Sequence, residues 1–132
     1  MEVFKVVNRI ADTELVSSSV PYLLRHTYEI GKVTTPRIGK LFAFTSINCA
    51  LNFMGRTQKI LECEAEVYDD REILAIIPAL SLTIEKAKKF WDDYFKEYGY
   101  LGETCLSPQG TVFCNWIKPI KIAYEEGVAR YV

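Results

Sequence analysis

Polar and apolar residues alternate most strictly between Lys59 and Val67. Leu61, Cys63, Ala65 and Val67 fall on one face, and Glu62, Glu64 and Glu66 on the other. A period of two with one apolar face is what a half-exposed antiparallel strand requires. A different period occupies Thr83 to Tyr98, where Ala87, Phe90, Trp91, Tyr94, Phe95 and Tyr98 recur at steps of three and four. That spacing predicts a long amphipathic helix with a broad aromatic stripe. Glu85–Lys89 and Asp92–Lys96 stand four apart on its polar side, each pair adding roughly 0.2–0.5 kcal/mol. Gly99 is the expected stop.

Weaker patterns supply the other elements. Residues 2–7, rich in Val and Phe, read as a first strand. Ser17-Ser18-Ser19-Val20-Pro21 reads as a loop, because hydroxyl side chains and Pro favour turns over ladders. Tyr28 to Thr35 reads as extended with a bulge at Gly31, and Pro36 to Lys40 as a turn. Leu41-Phe42-Ala43-Phe44-Thr45 is a short apolar strand. Ser46 then caps a short helix over Ile47–Met54, which turns Ala50 and Phe53 toward the sheet and ends at Gly55.

Ile73 to Ile77 is another apolar run, stopped by Pro78. After Gly102 and the Pro108-Gln109-Gly110 turn, Thr111 to Tyr124 reads as the last strand, with Ile120, Ile122 and Tyr124 alternating. Strands and helices do not alternate regularly, and there is no Gly-rich phosphate loop. The expectation is one α+β domain over residues 1–132, with a largely antiparallel sheet, one short helix and one long amphipathic helix.

Size and composition narrow the function classes. A chain of 132 residues is long enough for a core that needs no disulfide or metal. The net charge is −1 and no basic stripe is visible, which argues against long nucleic acid as a partner. Charges interrupt the first nine residues, so neither a signal peptide nor a membrane span is expected, and the expected location is the cytoplasm. Cys49, Cys63, Cys105 and Cys114 are scattered without a CxxC pair, and His26 is the sole histidine. They read as reduced thiols, so no metal and no cofactor are expected. Aromatic residues are abundant, with eight Tyr, seven Phe and two Trp. They can build a large core or provide rings for an interface or a planar ligand.

No catalytic constellation stands out. A Ser–His–Asp set would depend on His26, and no GxSxG elbow is present. Glu62, Glu64 and Glu66 can be paired carboxylates for acid–base work or a cation, or a solvated face that meets basic residues of a neighbour. The stretch from Leu106 to Ile120 mixes Thr111, Phe113, Asn115, Trp116 and Lys118 along one strand. Rings that stack, amides that read edges and a cation for phosphate suit a planar, charged ligand, while an edge strand with an ordinary polar face has the same composition. Thr45-Ser46 followed by the Ala50/Phe53 helix resembles the strand–helix step of ADP-ribosyltransferase-like domains, with Glu103 and Glu125 the available late glutamates.

Three segments together resemble the first-described family of phage Thoeris anti-defence sponges. They are Arg25-His26-Thr27-Tyr28-Glu29-Ile30-Gly31-Lys32-Val33, the Leu41-Phe42-Ala43-Phe44 strand with its Ala50/Phe53 helix, and the Pro108-Gln109-Gly110-Thr111-Val112 turn. The resemblance implies a non-enzymatic phage protein of the host cytoplasm that sequesters a cyclic ADP-ribose isomer, with cyclic oligonucleotides at separate sites in some members. It also implies self-association as a dimer or hexamer, with pockets between subunits. Carried onto this chain, Arg25 would hold phosphate, Thr111 and Asn115 would make polar contacts, and Phe113 or Trp116 would stack. Trp91 and Tyr94 would stack instead if the helix stripe reached the interface. Lys118 stands where an Arg would make a bidentate contact. Two alternatives follow from the residues: an ADP-ribosyltransferase-like enzyme acting on NAD, or an inhibitor that docks on a host defence protein.

Overall fold

The computed structural model describes residues 1–11, 14–17, 26–54, 58–69, 75–76, 83–95, 105–125 and 128–129. Its frame is built from four strands, β1 (Glu2–Ala11), β4 (Leu41–Phe44), β5 (Gln58–Asp69) and β8 (Thr111–Glu125). β1 pairs with β5 from Glu2↔Glu64 to Asn8↔Gln58. β5 pairs with β8 along most of its length, and β8 pairs with β4 from Phe44↔Thr111 to Leu41↔Cys114. β4 returns to β1 at Phe4↔Phe44. Every pairing is antiparallel, and the four strands close on themselves as a small barrel.

β2 (Glu14–Ser17) and β3 (Thr27–Tyr28) continue the wall beyond β1. β9 (Val128–Ala129) pairs with the end of β8. β6 (Ala75–Ile76) and β7 (Cys105–Leu106) form a separate two-stranded ladder. With α1 (Ile47–Phe53) and α2 (Ile84–Phe95), this is the expected mixed α+β fold with a short and a long helix. No helix among the described residues is long and apolar enough to cross a membrane.

Alternation decides what lies inside. Val3 and Val7 of β1, Leu61, Cys63 and Ala65 of β5, and Val112, Cys114 and Ile117 of β8 form the inner cluster, with Leu41, Ala43 and the ring of Tyr28. The glutamates of β5 point outward, Glu64 and Glu66 into solvent, as their spacing requires. Outside the wall, Ala50 of α1 packs in a second cluster with Phe4, Val6, Phe44 and Ile60. Ser46 caps α1 by accepting from the Cys49 N–H at 3.2 Å. Thr83 does the same for α2, accepting from the Lys86 N–H at 3.1 Å.

Three readings need correction. β1 is longer than residues 2–7 and turns back into β2, a hairpin that no Gly or Pro announces. Gly31 is not a bulge in an extended run. The Lys32 N–H bonds the Glu29 carbonyl at 3.0 Å. Gly31 has φ +84° at the third place of that turn, a conformation that costs glycine little. Finally, Ile120, Ile122 and Tyr124 do not share a face. The register of β8 against β5 slips between Glu62↔Lys121 and Cys63↔Pro119, and again between Ile60↔Tyr124 and Leu61↔Ile122. Each extra residue reverses the alternation beyond it. Ile120 is therefore exposed while Ile122 packs against the inner cluster. A strand of 15 residues wrapped round so narrow a barrel must coil strongly, which bulges allow. The stop at Gly55, the Ser18–Pro21 loop, Pro78, and Tyr98 with Gly99 lie outside the described residues.

Candidate functional site

The outward face of β8 has two parts. Over the first, α2 lays its aromatic stripe. Trp91 meets Phe113 edge-to-face with centroids 5.1 Å apart and lies 6.1 Å from Phe42, while Phe42 and Phe113 stack at 5.0 Å. Gly39, at φ +65°, lies directly against the Trp91 indole, where a Cβ would collide with the ring. Phe113 is completely buried in this layer. Its ring is therefore not available to a ligand, and the stacking role expected of it belongs to packing. Thr111 is also enclosed; its Oγ1 donates to the Pro108 carbonyl at 2.6 Å and closes the turn before the strand. Trp91 is buried as well.

Beyond Cys114 the register slips again, from Val67↔Cys114 to Glu66↔Trp116, and Asn115 is the extra residue. No helix among the described residues packs over this second part. Trp116 lies opposite Glu66, Lys118 opposite Glu64, and Lys121 opposite Glu62. Lys121 reaches Glu62 at 3.8 Å, so the glutamate row does meet basic residues of a neighbouring strand. Asn115 is held from both sides. Its Oδ1 accepts from Lys40 Nζ at 2.5 Å, and its Nδ2 donates to Glu66 Oε1 at 2.7 Å. Lys40 also sits over the half-exposed Tyr68 ring, 4.2 Å from its centroid.

Trp116 and the three glutamates of β5 border a surface pocket of about 520 Å³, lined also by Met1, Glu2 and Ile120, with Cys63 and Ala65. The terminal amine of Met1 is tied down by its bond to the Ala65 carbonyl at 3.0 Å. Glu2 and Glu64 face one another across β1 and β5, a like-charge pairing that disfavours the empty site. The volume suits a small molecule of nucleotide size. An indole wall, carboxylate acceptors and two lysines on the next strand can stack on a base, accept from hydroxyls and meet an anion at the edge.

Of the six candidates named from the sequence, the structure brings Asn115, Trp116 and Lys118 onto this face, puts Phe113 under α2 and encloses Thr111 at the Pro108 turn. Arg25 lies outside the described residues, as do Glu103 and the Tyr94 side chain. Glu125 forms an ion pair with Lys59, both largely buried. His26 accepts from the Arg37 N–H at 3.1 Å. Burial, then the charges of Arg37 and Lys5, hold it down to about 4, so it is neutral at pH 7. Burial likewise pushes the Cys63 thiol up to about 12 and the Cys114 thiol to about 11. Among the described residues, no group of three His, Cys, Asp or Glu side chains is placed to hold a metal. Glu2, Lys40 and Tyr68 were not singled out from the sequence. Only pairing partners and register identify them, and no local signal reports these. No protein-family model matches this chain, and neither does any curated protein or solved structure.

Proposed function

We propose that this chain is a non-enzymatic binding protein that captures a small cyclic nucleotide, of the cyclic ADP-ribose kind, on the open face of β5 and β8. The observation that carries the reading is Trp116 on the wall of a nucleotide-sized pocket beside a row of carboxylates. Stacking a base on an aromatic ring contributes about 1–3 kcal/mol. Carboxylates accept hydrogen bonds from ribose hydroxyls in dinucleotide sites, and Glu64 and Glu66 are open to do so here.

Electrostatics dictates the orientation. Four glutamates line the pocket and repel a phosphate, so the base and ribose enter it while the phosphates lie outside. Lys118 and Lys121 supply part of the countercharge. Arg25, or cations of a second subunit in a dimer or hexamer, supply the rest. Under this reading the protein acts in the cytoplasm of a phage-infected host and lowers the concentration of a nucleotide alarm signal by holding it intact.

The acidic lining and the exposed Ile120 favour a second reading, an inhibitor that docks on a basic protein surface. An ADP-ribosyltransferase-like reading has less support, because Glu125 is occupied by Lys59.

The test incubates the protein with cyclic ADP-ribose isomers, cyclic oligonucleotides and NAD, and assays the supernatant before and after heat denaturation. Depletion followed by intact release supports capture. A changed product means an enzyme. No depletion of any of them removes the nucleotide reading and leaves the protein-docking one.

A further inference from the structure

The four seams of the barrel are unequal. β1–β5, β5–β8 and β4–β8 are ladders of several consecutive pairs, whereas β1 and β4 meet at the one pair Phe4↔Phe44. Outside, α1 bridges this seam by packing Ala50 in the cluster that holds Phe4 and Phe44. Inside, the seam is crossed by a side chain that the strand pattern would not choose. Lys5 lies on the inward face between Val3 and Val7, opposite Leu61, and is 9% exposed. Its Nζ reaches across to the Phe42 carbonyl at 2.6 Å. The ammonium has the Tyr28 ring at 5.4 Å. Among the described residues it forms no ion pair with a carboxylate.

We propose that the β1–β4 seam is the point where this barrel opens, and that the buried Lys5 sets how readily it does so. An ammonium enclosed by Val3, Val7, Leu61 and two thiols is far less well solvated than one in water. One hydrogen bond and one aromatic face offset only part of that loss. The other buried ammonium among the described residues, Lys59 in the β5–β8 ladder, has the Glu125 carboxylate as its counter-ion, so an opening that rehydrates Lys5 costs least at this seam. The titratable groups that face Lys5 are Cys63 of β5, Cys114 of β8 and Tyr28 of β3, with His26 near enough to couple to it and the terminal amine near enough to couple to Cys114. The two thiols stay protonated at neutral pH and give the ammonium no counter-ion. Burial accordingly lowers Lys5 from 10.5 to about 8.

The inward position of Cys63 and Cys114 makes the opening measurable. In the closed barrel neither thiol is accessible, so their alkylation rate by N-ethylmaleimide, read by peptide mass spectrometry, reports the open population. At pH 7 the Lys5→Met variant should label both thiols at least tenfold more slowly than wild type. The lowering of the Lys5 pKa sets a ceiling of about 300-fold. Unchanged or faster labelling would overturn the proposal. If Lys5→Met does not fold, hydrogen exchange on the wild-type protein decides. The β1 and β4 amides at the seam should exchange through an opening smaller than global unfolding, while β5–β8 ladder amides exchange only globally. Equal protection in both places would overturn it as well.

Discussion

The two halves of β8 carry similar residues and have opposite fates. Thr111 to Cys114 and Asn115 to Lys118 each offer a polar side chain and an aromatic ring to the outside of the barrel. Phe113 is sealed under Trp91, whereas Trp116 borders an open pocket. Residue type does not distinguish them. The difference comes from where α2 ends up and from the slip at Asn115, which turns Trp116 outward opposite Glu66. An aromatic ring on a strand becomes a binding element only where the fold leaves it uncovered.

Replacing each ring breaks the comparison most directly. Phe113→Ala should destabilise the fold by about 3–5 kcal/mol, since it empties a packed aromatic layer. Trp116→Ala should cost about 1 kcal/mol or less, because its face is open. Urea unfolding of the two variants measures both. Similar losses would mean that the second half of β8 is also core.

Lys5 bears on the wall that carries both halves, and its pH dependence has a definite sign. Its folded pKa, about 8, lies below the unfolded 10.5, so its penalty is fully present below pH 8 and disappears as pH rises toward 10.5. Cys63 and Cys114 are shifted the other way, from 9.0 to about 12 and about 11. The stability they contribute is complete below pH 9 and is lost above it. Stability should therefore rise between pH 8 and 9, then decline. Lys5→Met should abolish the rise and stabilise the protein at pH 7, by up to about 3 kcal/mol. His26, lowered to about 4, makes stability fall as the pH drops from 6.5 toward 4. Chemical denaturation across about pH 4–11 checks the profile.

Smaller effects sharpen the contrast. Gly39→Ala should cost about 1–3 kcal/mol, because a Cβ enters the indole packing from a positive φ. Asn115→Ala removes the bridge between Lys40 and Glu66 on the open half and should cost only about 0.5–1.5 kcal/mol. Thermal unfolding resolves the two.

The parts of this structure legible in the sequence are those written in local periods. The outward glutamates of β5 follow from alternation. The N-cap at Ser46 and the buried stripe of Ala87, Phe90 and Trp91 follow from helical spacing and capping chemistry. What was not legible depends on partners distant in the chain. The bulges at Asn115 and Ile120 decide which residues face the pocket, and the residues before them contain nothing that marks a slip. Lys5 shares its parity with the inward Val3 and Val7, but β1 is apolar on both faces, so nothing local marks which of them encloses the charge. Glu2 comes to the open face through pairing with β5, Tyr68 lies beside the irregular register at the end of β5, and Lys40 reaches it from before β4 by its bond to Asn115. The candidate site was therefore half visible: Asn115, Trp116 and Lys118 came from composition along one strand, and their surroundings came from the fold.

If the open half of β8 is a capture site, as we propose, it is centred on Trp116. Its most direct test is capture of cyclic ADP-ribose isomers by wild type and Trp116→Ala, both confirmed as folded, with heat release of the intact ligand. Wild type should deplete at least one isomer, and the variant should lose that capture by tenfold or more. A wild type that depletes none, or a variant that captures as well as wild type, would contradict it.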